Sequence, residues 1–247
     1  MLILIVLFFL GLITSFVGTN TGGSSLVTIP AMIALGLPPQ VSIACARVTS
    51  IGTLIAGLRA FHVHKKIDYR IAMPAAILSL IGSSIGALIM THIETQHLNK
   101  IIGILTLGLL SFSFFLKRKK SAQQSPSNLK KIIGYGLFLF TSMIGGFYGG
   151  QGLITTYLFV FFFNKTISES AGTRKVSALA STIAPCIIYG FHGLIDWKIV
   201  AALMLGTMCG ATMGAHYALR KGDAWIEKLF MIASALLAIK LLISDIF

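Results

Sequence analysis

The chain carries one pattern twice. Shifted by 127 positions, GTNTGGSSL (Gly18–Leu26) falls on GGFYGGQGL (Gly145–Leu153). At the same shift Thr14, Ser15, Ala44, Arg47 and Ser50 meet Thr141, Ser142, Ala171, Arg174 and Ser177. After one inserted residue the shift becomes 128, and His64, Asp68, Gly82 and Gly86 meet His192, Asp196, Gly210 and Gly214. A register kept over about 100 residues identifies a duplicated unit, so whatever the first half folds into, the second half repeats. The halves are 1–116 and 132–247, joined by the polar linker KRKKSAQQSPSNLKK (Lys117–Lys131).

Composition decides the solvent. Hydrophobic residues make up 55% of the 247, charged residues only 11%, and the mean hydropathy is +0.88. Soluble domains carry about 25% charged residues. This chain lacks the polar surface that water requires, and its recurrent apolar runs approach the roughly 20 residues that cross a bilayer. The first run, Leu2–Val17, has no basic leader and no small-x-small cleavage signal, and its pattern returns in mid-chain, so it reads as structure.

Five apolar segments are expected in each half. In the first they are Leu2–Val17, Ser25–Leu37, Ile43–Leu58, Ile71–Met90 and Leu98–Leu116. In the second they are Ile132–Ile144, Gly152–Phe163, Ala171–Phe191, Ile199–Leu219 and Trp225–Ser244. An odd number makes the second half enter from the opposite face, giving an all-α membrane protein of two inverted repeats with about ten segments. Ser25–Leu37 and Gly152–Phe163 are too short for a full span at about 1.5 Å per residue. Each follows a glycine cluster and reads as a broken or re-entrant helix.

The net charge of +13 is spread in short gaps between apolar runs, which argues against a nucleic-acid surface. With the linker placed in the cytoplasm, 14 of the 20 Lys and Arg fall in inner loops. Only Lys100, Lys198 and Lys240 fall outside, and Arg47, Arg174 and Lys175 lie within apolar segments. Both termini are expected to face outward.

Two constellations point to anion chemistry. Gly22, Gly23, Ser24 and Ser25, with Gly149, Gly150 and Gln151 in the other half, stand just ahead of short helices. Free amides at a helix start form an anion site, and the serine hydroxyls and the glutamine amide add donors. The plainer alternative is close helix packing. Arg47 and Arg174 occupy matched positions in apolar surroundings, at a cost of roughly 2.5–3.5 kcal/mol each on insertion scales. A guanidinium fork suits an oxyanion, whereas snorkelling to the interface is the alternative. Lys175 has Val48 as its counterpart, and Glu169 is expected to neutralise it.

His64/Asp68 and His192/Asp196 recur as loop pairs. Either they relay protons or they cap helices and anchor the interface, and the cap reading is preferred. Cys45, Cys186 and Cys209 lie in apolar segments without ligand spacing and read as packing thiols, a sulfur-handling role being the alternative. GSSIG (Gly82–Gly86) mimics a nucleophile motif, but its partner GATMG (Gly210–Gly214) has no central serine, so both read as small-residue packing seams. No residue pattern calls for a metal, a cofactor or enzymatic catalysis.

The doubled G-x-x-x-G-G-x-x-L, the Pro38-Pro39 pair and A-x-A-R at Ala44–Arg47 resemble the sulfite exporter TauE/SafE family over nearly the whole chain. The resemblance implies a multi-pass carrier in a bacterial plasma membrane that exports or takes up small sulfur-containing anions such as sulfite, thiosulfate or organosulfonates. The expected partners are therefore a small anion and the lipid bilayer; association with a second copy is left open. A carboxylate carrier and a scaffold without transport are the alternatives to that expectation.

Overall fold

The computed structural model describes residues 2–21, 23–63, 65–116 and 127–221. Gly22, His64, linker residues 117–126 and the expected segment Trp225–Ser244 lie outside the described residues. Within them the chain is helical without strands: α1 (Leu2–Thr21), α2 (Ser25–Ala34), α3 (Pro39–Val63), α4 (Tyr69–His92), α5 (Thr95–Leu116), α6 (Asn128–Phe147), α7 (Gly152–Phe163), α8 (Ile167–Phe191) and α9 (Trp197–Lys221). These correspond one for one to the first nine expected segments. Among the described residues, three stretches are long and apolar enough to cross a bilayer: α3, α4 and residues Trp197–Gly214 of α9.

Local chemistry sets the boundaries. Asp68 caps α4 by accepting from the Arg70 amide at 3.1 Å, and Ser127 caps α6. A reciprocal capping box of Thr166 and Glu169 opens α8. Asn164 ends α7 in the left-handed conformation, at φ 51°. Helices α1 and α6 run past Gly18 and Gly145, so the breaks are tighter than the glycine clusters suggest. The reason is packing. A Cβ on Gly18 would strike Ser24, and one on Gly145 would strike Gln151, where the chain folds back on itself.

The main packing crosses between halves. Helix α1 lies against α9, α4 against α6 and α8, and α3 against α8 and α9. The glycine seams make the first two contacts close. A Cβ on Gly82 or Gly86 would fall on the carbonyl oxygens of Leu139 or Met143. Gly210 and Gly214 stand in the same relation to Leu12 and Phe16. The four contacts form two pairs related by the sequence repeat, as expected of small-residue seams.

Helix α4 also shows which solvent surrounds the bundle. It buries Ala75, Ser79, Gly82, Ser83 and Gly86 and exposes Met73, Ile77, Ile81 and Leu88. Small and polar side chains face inward and large apolar ones outward, the reverse of a helix in water.

Candidate anion cavity

The two chain breaks meet at the centre of the bundle. Gly149, at φ 102°, lies with its Cα directed at Ser25 and at the Arg47 side chain, and Gly150, at φ 72°, packs on Leu26. Positive φ is accessible to glycine without the steric cost that a Cβ brings. A Cβ on Gly149 would stand 3.2 Å from the Ser25 hydroxyl.

Around this junction lies a cavity of about 70 Å³. That is room for several waters or one small oxyanion. Arg47, Arg174 and Lys175 line it, together with Ser24, Ser25 and Gln151. The cations are at most 5% exposed. Among the described residues no Asp or Glu lies on its wall. The rest of the wall is rich in hydroxyls, including Ser50, Thr53, Ser177 and Ser181.

The two arginines are held differently. Arg47 donates through Nη2 to the Ser181 carbonyl. Pro185 stands four residues further along α8 and has no N–H, so this carbonyl lacks its usual helical donor. In the other half the position of Pro185 is taken by Leu58, inside α3, and Arg174 gains no matching acceptor among the described residues. The Nε of each arginine is buried with no hydrogen-bond partner. An unpaired buried donor costs roughly 1–3 kcal/mol, and more when charged.

Lys175 departs from expectation. Glu169 is engaged with the backbone and hydroxyl of Thr166, not with Lys175. The Lys175 ammonium instead lies against Gly57 and 5.5 Å above the Phe61 ring. Sequence reasoning therefore missed a third wall cation, along with most of the hydroxyls. The repeat match of Ser50 with Ser177 was the available signal for the latter.

The helix-start amides are partly spent. Those of Leu26, Val27 and Thr28 return to the carbonyls of Gly23 and Ser24, leaving hydroxyls as the more prominent donors on that side. Gln151 does not cap α7 with its side chain; its Nε2 reaches Ser181 Oγ at 3.3 Å.

Asp68, His192 and Asp196 do not line the cavity; His64 lies outside the described residues. Asp68 bonds Lys165 at 2.6 Å. Burial alone would raise its pKa, but the hydrogen bond and charge of Lys165 win and hold it below the ordinary 3.8. Asp196 accepts from the Lys198 and Ile199 amides at the start of α9, and His192 bonds the Ile188 carbonyl at the end of α8. Cys45 is buried, with Sγ 3.7 Å from the Asp196 carbonyl.

The family model for the sulfite exporter TauE/SafE matches residues 7–241. A "Probable membrane transporter protein" of Haemophilus influenzae is 26% identical, the match covering 97% of this chain and 94% of that protein. The "Probable membrane transporter protein YfcA" of Escherichia coli K12 is 26% identical, over 98% and 90% respectively. The "Probable membrane transporter protein YjnA" of Bacillus subtilis is 27% identical, over 89% and 90% respectively. No solved structure gives a significant match.

Proposed function

The chain belongs to the sulfite exporter TauE/SafE family and is a membrane transporter, not an enzyme; from this premise we propose that it is a secondary carrier of a small sulfur-containing oxyanion of the sulfite, thiosulfate or organosulfonate type. The observation that carries the reading is the cavity, with three buried cations on its wall and no carboxylate among its described lining residues. A buried charge without a partner is costly, and an anionic cargo supplies the missing partner.

In this reading Arg47 and Arg174 hold the anion from matched positions, and Ser24, Ser25 and Gln151 donate hydrogen bonds to its oxygens. Gly23, Gly149 and Gly150 let the backbone come close, and Gly22 is assigned the same role from its place in the repeat. The two halves are inverted repeats of five segments that rock about the cavity and expose it to one face at a time. The carrier sits in the plasma membrane with both termini outside. Support for the inverted arrangement comes from the glycine seams, which the repeat relates pairwise.

Proteoliposomes holding the purified protein test the proposal. Saturable uptake of radiolabelled sulfite, thiosulfate or an organosulfonate, in preference to acetate and succinate, is the expected result. Preference for the carboxylates would overturn the sulfur assignment, and absence of anion flux would overturn the carrier reading.

A further inference from the structure

We propose that Lys175 is an additional substrate-binding residue that selects divalent over monovalent anions; this deepens the oxyanion reading and rests on it. Three observations meet here. Lys175 lines the cavity yet is only 4% exposed. It forms no ion pair with any described carboxylate; Glu169 is bound to Thr166 and Asp68 to Lys165. Among the described residues its charge-stabilising contact is the face of Phe61 at 5.5 Å. A cation–π contact offsets only part of the cost of burying an ammonium.

Charge matching then sets the class of cargo. Arg47 already has the Ser181 carbonyl, a dipole that satisfies part of its donor fork. Arg174 and Lys175, adjacent in sequence on α8, have no such acceptor among the described residues. A carbonyl satisfies a donor without cancelling its charge, so three positive charges line the cavity with no carboxylate among its described residues, and a dianion offsets more of that charge than a monoanion does.

The repeat makes the assignment directional. The counterpart of Lys175 is Val48, which is buried in an apolar cluster with Leu7, Ile199 and Leu203. Val48 is not on the cavity wall, so of this matched pair Lys175 alone brings a charge to it. The Lys175 ammonium stands beside Gly57 and Phe61, near the α3–α4 loop. The anion is drawn toward that side by a charge that has no counterpart at the matched position.

The test uses purified full-length protein, with thermal unfolding in detergent and uptake in proteoliposomes as readouts. Thiosulfate serves as the dianion and methanesulfonate as the monoanion. In the wild type thiosulfate should stabilise more strongly, since a ligand raises stability in proportion to ln(1 + [L]/Kd). In Lys175→Met the preference for thiosulfate should fall about tenfold or more, while methanesulfonate is still bound. The empty K175M protein should unfold no earlier than wild type, because an unpaired buried charge has gone. Lys175→Arg should keep the dianion preference. A well-folded K175M with unchanged preference overturns the role of Lys175 alone. A wild type that responds to neither probe overturns the oxyanion reading and this inference with it.

Discussion

Arg47 of α3 donates to the carbonyl of Ser181 in α8, an acceptor left free because Pro185 cannot supply the helical N–H. One proline in the second half thereby positions an arginine of the first. The relationship also breaks the symmetry of the repeat, since Leu58 occupies the position equivalent to Pro185 and Arg174 has no matching acceptor among the described residues.

Pro185→Ala should return an N–H to Ser181 and compete with Arg47 for that carbonyl. A proline in a helix interior costs about 3 kcal/mol, so the variant should unfold at the wild-type temperature or above it. Anion uptake should nevertheless fall several-fold as Arg47 loses its fixed orientation. Wild-type uptake in proteoliposomes would show that the bond does not matter to transport.

Arg174 faces the cavity with its Nε unpaired. Arg174→Gln removes the charge and should reduce anion uptake at least about tenfold, or ~1.4 kcal/mol. Arg174→Lys keeps the charge without the planar fork and should fall between. Surface expression measured alongside separates lost binding from lost protein. Normal uptake by a well-expressed glutamine variant would remove Arg174 from the site.

The nine described helices were legible because apolar runs, polar gaps and the repeat all gave the same segmentation. Arg47 and Arg174 were legible for the same reason: a matched charge in a hydrocarbon run is a local anomaly. Lys175 was misjudged because Glu169 lies close in sequence. Six residues along a helix of 3.6 per turn place the two side chains on different faces, and Glu169 is the capping-box residue of α8. The bond from Arg47 to Ser181 was not legible, because it joins residues 134 apart in sequence. Nor were the cavity hydroxyls, since a serine in an apolar helix has the same local pattern whether it bonds its own backbone or faces a ligand.

The ion pair of Asp68 with Lys165 links the α3–α4 loop to the α7–α8 loop. Its pKa in the folded protein lies below the ordinary 3.8. The pair's contribution to stability is therefore complete above that value and disappears as the pH falls through the lower, folded-state one. Thermal unfolding followed from pH 6 down to about pH 3 should show a wild-type loss that Asp68→Asn lacks. Parallel curves for the two proteins would mean the pair is neutral in energy, as exposed pairs often are.

Charge asymmetry predicts the topology. A single cysteine at Ser125, in a chain otherwise free of cysteine, should resist an impermeant thiol reagent in intact cells and react after permeabilisation. The linker carries six Lys and Arg, and basic loops stay in the cytoplasm. Labelling in intact cells would invert the orientation.

Glycine substitutions should separate folding from transport. Gly86 packs its backbone on the Met143 carbonyl, so Gly86→Ala must push α4 from α6 and should lower the unfolding temperature or abolish assembly. Gly136 is also helical but has open space where a Cβ would go, and Gly136→Ala should be neutral or slightly stabilising. Gly149 differs from both. Its φ of 102° disfavours alanine, by roughly 1–3 kcal/mol, and the new methyl would press on the Ser25 hydroxyl and the Arg47 stem. That strain is local to the junction of the breaks, while the helix seams remain intact. Gly149→Ala should therefore yield a protein that assembles and purifies like wild type, with uptake reduced about tenfold or more. Equal uptake by the Gly149 and Gly136 variants would mean that the close approach of the break to Ser25 and Arg47 has no part in holding the anion.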